Sequence, residues 1–451
     1  MSAALEPQPA AALAGGGRAA DGAIAGAAIA GAAVAGGAVR RDAVVFFAGQ
    51  LTATGCVWLL VLALARLGGP EPVGVFTFAL ALAAPIIVAS QLGLRQLLNT
   101  DPRGLLRFDD FRRLRLALSL LAMAAIVAVG AALGYHGEAL LVIALVAAAK
   151  AQDSIGDIYH ALLQRAGRLD LAGISLALRG GLLLLLGGAG FALTQSMLAM
   201  AAGMALASAI VFGSFDRGVA RATTGWRRRA GLRRSWIACR RLMWRAAPLA
   251  VSVVLININC NVPRYAVEAA MGPVGLGLYA AMDNIAAIGL LAVQSLGQSL
   301  FPRLADLWAA GDRNSFARLA LRYVAVCAGI ALLGFGAATV AGPWILHTLY
   351  GAAFAEAAPA FRFVMAAMII AYVANALGHI ITATGRFGPL IWPFAAVVAV
   401  TAAVAHLAVP AWGLTGAAIA VAGGHGVGIL ATTALLLHFA RTQRGEMLPA
   451  T

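Results

Sequence analysis

The chain has 451 residues, 62% of them hydrophobic, and its 33 Lys and Arg against 18 Asp and Glu give a formal charge of +15. Soluble folds use about 45–50% apolar residues, so an ordinary soluble domain is excluded and a polytopic membrane protein is expected. The positive excess lies in the connections between apolar runs. That pattern sets nucleic acid aside as a partner and points to a cytoplasmic charge bias beside anionic bilayer lipids.

Residues 1–39 read as a low-complexity tail. The run from Gly22 to Val39, GAIAGAAIAGAAVAGGAV, is uncharged but offers little apolar area, so its insertion is marginal. It has no Leu-rich core followed by a cleavage site, so a disordered or weakly surface-associated extension is expected rather than a secretory signal, with an extra span or a misassigned start codon as the alternatives.

Residues 40–215 form an expected N-terminal bundle of six spans, near 44–65, 73–98, 116–133, 139–162, 169–187 and 191–212. A basic linker, 216–245, then carries ten arginines against the single acid Asp216; such a stretch resists crossing a bilayer. Residues 246–440 form the C-terminal bundle, with spans near 246–269, 274–300, 321–345, 358–382, 390–409 and 414–440, and 441–451 form a tail.

Charge marks every alternate connection. Arg103, Arg107, Arg112, Arg113 and Arg115 fall on one side with Arg165, Arg168, the linker, Arg303, Arg313, Arg318, Arg322, Arg386, Arg441 and Arg444, whereas Arg66 lies on the opposite loops. Twelve transmembrane helices with both termini cytoplasmic satisfy this asymmetry. The fold class expected is therefore all-α polytopic membrane protein.

A fragment repeats between the halves. Val73-Gly74-Val75-Phe76 matches Leu276-Gly277-Leu278-Tyr279, and Gln91-Leu92-Gly93 falls near Gln294-Ser295-Leu296-Gly297. Halves with an even number of spans enter the membrane in the same orientation, which makes them parallel repeats about an axis along the membrane normal.

Ionisable groups at membrane depth cost about 2.5–3.5 kcal/mol on insertion scales and mark interior or cavity positions. Lys150, Asp153 and Asp157 share one face of the fourth span, where Lys150 can pair with either acid. In the seventh span Asn257, Asn261, Arg264 and Glu268 have helical spacing, while Asn259 points away from that row. Arg264 and Glu268 can pair at four residues' separation, and Pro263 frees the carbonyl of Asn259 and is a candidate kink. Asp283 in the eighth span is a candidate for cation or proton coupling, with Glu268, Asp153 and Asp157 beside it. Helix packing is the competing role for each of these groups. Arg95, Arg179 and Arg362 are weaker candidates because long side chains near helix ends snorkel to the interface.

Covalent chemistry has no constellation to support it. Cys56, Cys239, Cys260 and Cys327 make no CxxC pair, the seven histidines lack ligand spacing, and His379 with Asn375 reads as helix packing. No Walker A loop or dinucleotide fingerprint is present. No catalytic residue, metal site or cofactor is assigned, and the energy source expected is an ion or substrate gradient.

Two stretches carry a family resemblance. Val262 to Leu319, VPRYAVEAAMGPVGLGLYAAMDNIAAIGLLAVQSLGQSLFPRLADLWAAGDRNSFARL, is similar to the seventh and eighth helices and following loop of the polysaccharide or O-antigen flippase family, a branch of the MATE-like exporter superfamily. Gly342 to Phe354 resembles that family's apolar run ending in Tyr-Gly. The resemblance implies a V-shaped pair of six-helix bundles in a bacterial cytoplasmic membrane. It also implies alternating-access export of a lipid-linked oligosaccharide on a polyprenyl diphosphate, with a glycosyltransferase or polymerase as possible partners. Arg264 matches the family's proline-arginine-tyrosine neighbourhood, and Asn257, Asn261 and Lys150 join it as candidate substrate-binding residues. The alternatives are an ion-coupled exporter of amphipathic cations and a non-transporting membrane assembly protein.

Overall fold

The computed structural model describes residues 37–99, 108–225, 233–385 and 391–446, and these are helical almost throughout, with no strand among them. The expected tail 1–39 falls almost entirely outside the described residues, as do parts of the basic linker and of the final tail. The principal helices are α1 (Gly37–Gly68), α2 (Pro70–Gln91), the short α3 (Leu94–Asn99), α4 (Phe108–Ala132), α5 (Gly137–Arg165), α6 (Leu169–Thr194), α7 (Met197–Thr224), α8 (Arg233–Ala309), α9 (Arg313–Tyr350), α10 (Ala358–Thr382) and α11 (Ile391–Glu446).

Ten described stretches are long and apolar enough to cross a membrane, and two of them, of 57 and 48 residues, are far longer than one crossing. At 1.5 Å per residue they would reach about 85 and 70 Å, against a hydrocarbon core of about 30 Å. Each is broken by one glycine outside helical geometry: Gly272 (φ 67°, ψ −167°) in α8 and Gly413 (φ 55°, ψ −129°) in α11. The ten stretches therefore supply twelve crossings, the number expected from charge. Pro263, the candidate kink, keeps helical geometry; the break in α8 falls at Gly272.

The internal repeat has a structural counterpart. Gly69 (φ 78°, ψ −160°) precedes Pro70 at the head of α2, and Gly272 precedes Pro273 at the head of the second arm of α8 in nearly the same conformation. A residue with a Cβ rarely adopts such a positive φ, whereas glycine does so freely, and proline suits the first position of the helix that follows. One turn further on, a Cβ on Gly74 would strike the Pro273 carbonyl, and one on Gly277 would strike the Pro70 carbonyl. The two helices meet backbone to backbone through reciprocal contacts, as a two-fold relation between parallel halves requires. The second fragment of the repeat diverges. Leu92 takes a left-handed conformation (φ 47°) and ends α2, whereas Gln294 is buried within a helix that continues to Ala309.

Two expected boundaries move for physical reasons. The second span, expected to reach Leu98, stops at Gln91, so Arg95 sits on α3. The fifth, expected to end near Gly187, continues through a π turn at Leu183–Gly187 to Thr194. Glycines on both sides of its contact with α7 are packing positions: a Cβ on Gly190 of α6 would lie 2.9 Å from the carbonyl of Ala199, and one on Gly203 of α7 would meet the Leu186 carbonyl at 2.5 Å. A glycine that allows close helix approach resembles a turn signal in sequence.

The end of the bundle that carries Gly69 and Gly272 is opposite the basic linker, and the halves are tied together there. Arg66 Nε donates to the Leu349 carbonyl at 3.0 Å, and its guanidinium also reaches Thr348. Tyr135, between α4 and α5, donates to Glu268 at 2.9 Å. Deeper in the bundle, the Tyr265 hydroxyl donates to the Ala81 carbonyl at 2.5 Å.

Candidate functional site

In the N-terminal half, five helices bring their charges to one interior cluster. Asp153 on α5 accepts from Lys150 at 3.1 Å, from Arg179 of α6 at 3.0 Å and from Ser208 of α7 at 2.9 Å. One turn along α5, Asp157 bridges Arg95 of α3 at 2.7 Å and Arg115 of α4 at 3.0 Å. Arg179 also reaches Asp216 at 2.8 Å, and that carboxylate accepts from Ser175 at 2.5 Å beside His160 at 3.2 Å. Gly156 makes room for this pair, since a Cβ there would lie 2.8 Å from Arg179 Nη2 and 3.0 Å from Asp216 Oδ2.

Of the two acids open to Lys150, Asp153 is the one it pairs with. Lys150 is about one-third exposed, and Asp153 and Asp157 are each one-quarter exposed, so one side of the cluster remains accessible. The deeper members, Arg115 and Asp216, are fully buried. Neither is among the site residues expected from sequence: Arg115 reads as a loop charge, and Asp216 stands at the head of the linker. Arg115 had a readable signal, because Phe108, Phe111, Arg115 and Ser119 recur on one helical face and all are buried. For Asp216 the signal was weaker, a lone carboxylate beside many arginines. It is buried because the helix continues through a π turn at Val211–Asp216 instead of ending near Phe212.

The C-terminal half carries a simpler row on α8. Asn261 donates to the Asn257 carbonyl at 2.8 Å, and Arg264 donates to Asn261 Oδ1 at 3.0 Å. The other arm of Arg264 pairs with Asp283 at 2.5 Å. Folding back at Gly272 produces this pairing, since Arg264 lies eight residues before the turn and Asp283 eleven after it, at similar depth on antiparallel arms. Glu268, the partner expected for Arg264, instead accepts from Tyr135 of the other half. Asn257, Asn261, Arg264 and Asp283 thus form one group, and Glu268 belongs to the tie between halves. Asn259 lies outside the row, with its Oδ1 buried and unpartnered.

The weaker candidates separate. Arg95 and Arg179 belong to the N-terminal cluster, whereas Arg362 is exposed. His379 is buried and bonds the Asn375 carbonyl at 3.0 Å, a packing contact.

The N-terminal cluster sets Arg95, Arg115, Lys150 and Arg179 against three carboxylates, those of Asp153, Asp157 and Asp216. Several guanidinium donors remain buried without a hydrogen-bond partner: Nε and Nη1 of Arg115, Nε of Arg179 and Nε of Arg264. Buried donors of this kind carry an energetic cost that an oxyanion could relieve.

Twelve crossings in two parallel halves, with interior charge clusters, define a polytopic all-α membrane protein. Its fold is that of the MATE-like exporters. An inward-facing multidrug resistance MATE family transporter of the MOP superfamily superimposes with a TM-score of 0.64 at 15% identity, over 86% of this chain and 93% of that one. The lipid II flippase MurJ in an inward closed conformation gives 0.66 at 11% identity, over 87% of each chain. A MOP superfamily transporter from Pyrococcus furiosus, described as having a binding pocket of reverse polarity, gives 0.57 at 14% identity over 97% and 98%. In sequence, the capsular polysaccharide biosynthesis protein CapF of Staphylococcus aureus is 22% identical over 341 residues, which is 76% of this chain and 85% of that protein. No protein-family model matches the chain. The findings accord with the expected resemblance to the polysaccharide flippase branch of the MOP superfamily.

Proposed function

We propose that the protein moves a polyprenyl-diphosphate-linked oligosaccharide from the cytoplasmic to the outer leaflet of a bacterial cytoplasmic membrane, by alternating access between its two bundles. The observation that carries this reading is the state of the interior acids. Asp153, Asp157 and Asp283, which an exporter of cations would present to its cargo, are each paired with Arg or Lys, and the N-terminal cluster retains one more cation than it has carboxylates. An excess of guanidinium donors suits a diphosphate, which accepts the bidentate fork of arginine.

Arg264 is the residue assigned to the diphosphate, held by Asn261 and Asp283 and supported by Asn257. Lys150 is assigned as a second contact from the opposite half. Asp283 would hold Arg264 in place between cargo-binding events, and coupling to an ion would act by changing that pair. The relation to CapF supports polysaccharide precursors as the cargo class, and the likeness to MurJ supports a fold able to serve a lipid-linked substrate.

The test is leaflet sidedness in membrane vesicles from a strain lacking the gene and from the same strain with the gene restored. Accumulation of lipid-linked oligosaccharide in the cytoplasmic leaflet, reversed by the gene, is expected. Unchanged sidedness with normal surface glycan would overturn the assignment. Replacing Arg264 by Ala, with membrane abundance unchanged, is expected to reproduce the deletion.

A further inference from the structure

Where the second arm of α8 ends and α9 begins, at the linker end of the C-terminal half, lies an open pocket of about 290 Å³ lined by Arg303, Leu307, Ser315, Arg318, Leu319 and Arg322. Ser315, Arg318, Leu319 and Arg322 recur at three, four and seven residues and so form one face of α9. Arg303 and Leu307 stand one turn apart on the facing arm. Among the described residues, none of the three arginines has a carboxylate within ion-pair distance, and no acid lines the pocket. Arg318 is turned onto its own helix, donating to Ser315 Oγ at 3.1 Å and to the Asn314 carbonyl at 3.4 Å. The neighbouring acid Asp312 caps α9 through the Ser315 backbone N–H at 3.0 Å, and that hydrogen bond holds its carboxyl below the usual carboxylate range. Arg313, also close by, is stacked over the Trp308 ring at 3.7 Å.

Like charges four residues apart on a helix repel, and here a third guanidinium faces them; the one carboxylate that acts on the group, Asp312 toward Arg318, lies beyond ion-pair distance and is engaged as the helix cap. Depth sets what can supply a counter-charge. The 38 residues of α9 extend about 57 Å, well beyond a hydrocarbon core of about 30 Å, so its first two turns stand at headgroup level. The two leucines add an apolar wall to the basic one.

We infer that this pocket binds the phosphate headgroup of a membrane amphiphile in the leaflet on the linker side. The site is separate from the Arg264 row, which lies deeper on the first arm of α8. Two sources share this chemistry, an anionic phospholipid or the diphosphate end of the cargo before it enters. The inference rests on the transport reading only for the second source.

The full chain in phosphatidylcholine nanodiscs would be titrated with phosphatidylglycerol, with a polyprenyl diphosphate and with soluble pyrophosphate, and bound ligand would be counted by native mass spectrometry. The combined variant R303Q/R318Q/R322Q should lose at least tenfold in affinity for whichever amphiphile binds, and R322Q alone roughly threefold. These side chains are exposed, so folding should be retained, and an unchanged melting temperature would confirm it. A tenfold preference for polyprenyl diphosphate over phosphatidylglycerol would identify a cargo-docking site, and equal binding a site for bulk anionic lipid. Retained amphiphile binding in the combined variant, or pyrophosphate binding as tightly as either lipid, would overturn the inference. Because phosphatidylglycerol binding requires no glycan transport, failure here and failure of the flippase reading are distinguishable.

Discussion

Gly74 lies against the backbone of Pro273, and 203 positions further on Gly277 lies against the backbone of Pro70. This reciprocal pair joins the two halves at the end opposite the linker, and it leaves no room for a side chain. Gly74→Ala and Gly277→Ala should each force the helices apart, at a cost of about 1–3 kcal/mol for overpacking. The expected result is a lower melting temperature in detergent, with increased labelling of a cysteine placed near Glu268. Unchanged stability and labelling in both variants would mean that the contact does not hold the halves together.

The hydrogen bond from Tyr135 to Glu268 crosses the same junction at 2.9 Å. Removing it with Tyr135→Phe should cost the closed arrangement about 1 kcal/mol, a net hydrogen bond. A two-state balance then moves roughly fivefold toward opening at that end. Double electron–electron resonance between spin labels on the two halves reads this population directly, and a distribution identical to that of the unmodified protein would count against a gating role.

Asp216 tests whether the N-terminal cluster is structural at its base. It is fully buried and serves Arg179, Ser175 and His160 together. Asp216→Asn leaves Arg179 without one of its two anions, so a loss of about 3–5 kcal/mol is expected, as for other broken buried pairs. Gly156→Ala should act in the same direction by crowding that pair. The yield of folded protein after detergent extraction checks both variants. Full yield from each would show that the cluster adjusts without penalty.

Within the C-terminal row, lysine at position 264 separates charge from geometry. Arg264 uses two arms, one on Asn261 and one on Asp283, and an ammonium cannot reproduce that fork. Arg264→Lys should therefore retain membrane abundance but lose transport by about tenfold, the scale of one 1.4 kcal/mol interaction. Transport at the unmodified rate would remove the bidentate role.

The crossings were legible because long apolar runs separated by charge have few structural solutions, and the span expected at 358–382 is the helix observed. The choice of partners between helices was less legible. Separation along one helix suggested Glu268 for Arg264, and the hairpin at Gly272 supplied Asp283 instead. Gly272-Pro273 was itself the available signal, since residues equally far from a hairpin turn share a depth. The boundary expected between 187 and 191 fails for the opposite reason: in a helix that packs closely on its neighbour, a glycine such as Gly190 removes bulk without ending the helix. Asp216 was hidden by the arginines around it, because local charge density says little about which side of a helix faces the interior.

The most direct measurement of the central claim is transfer across a bilayer by the purified full chain in proteoliposomes. Fluorescent polyprenyl-diphosphate oligosaccharide and a fluorescent amphipathic cation would be supplied in parallel. We expect the glycolipid to reach the opposite leaflet faster than in protein-free vesicles, Arg264→Ala to abolish that gain, and the cation to remain at the background rate. Cation transport that depends on Asp153, Asp157 or Asp283, with no acceleration of the glycolipid, would contradict the account and establish the cation exporter in its place.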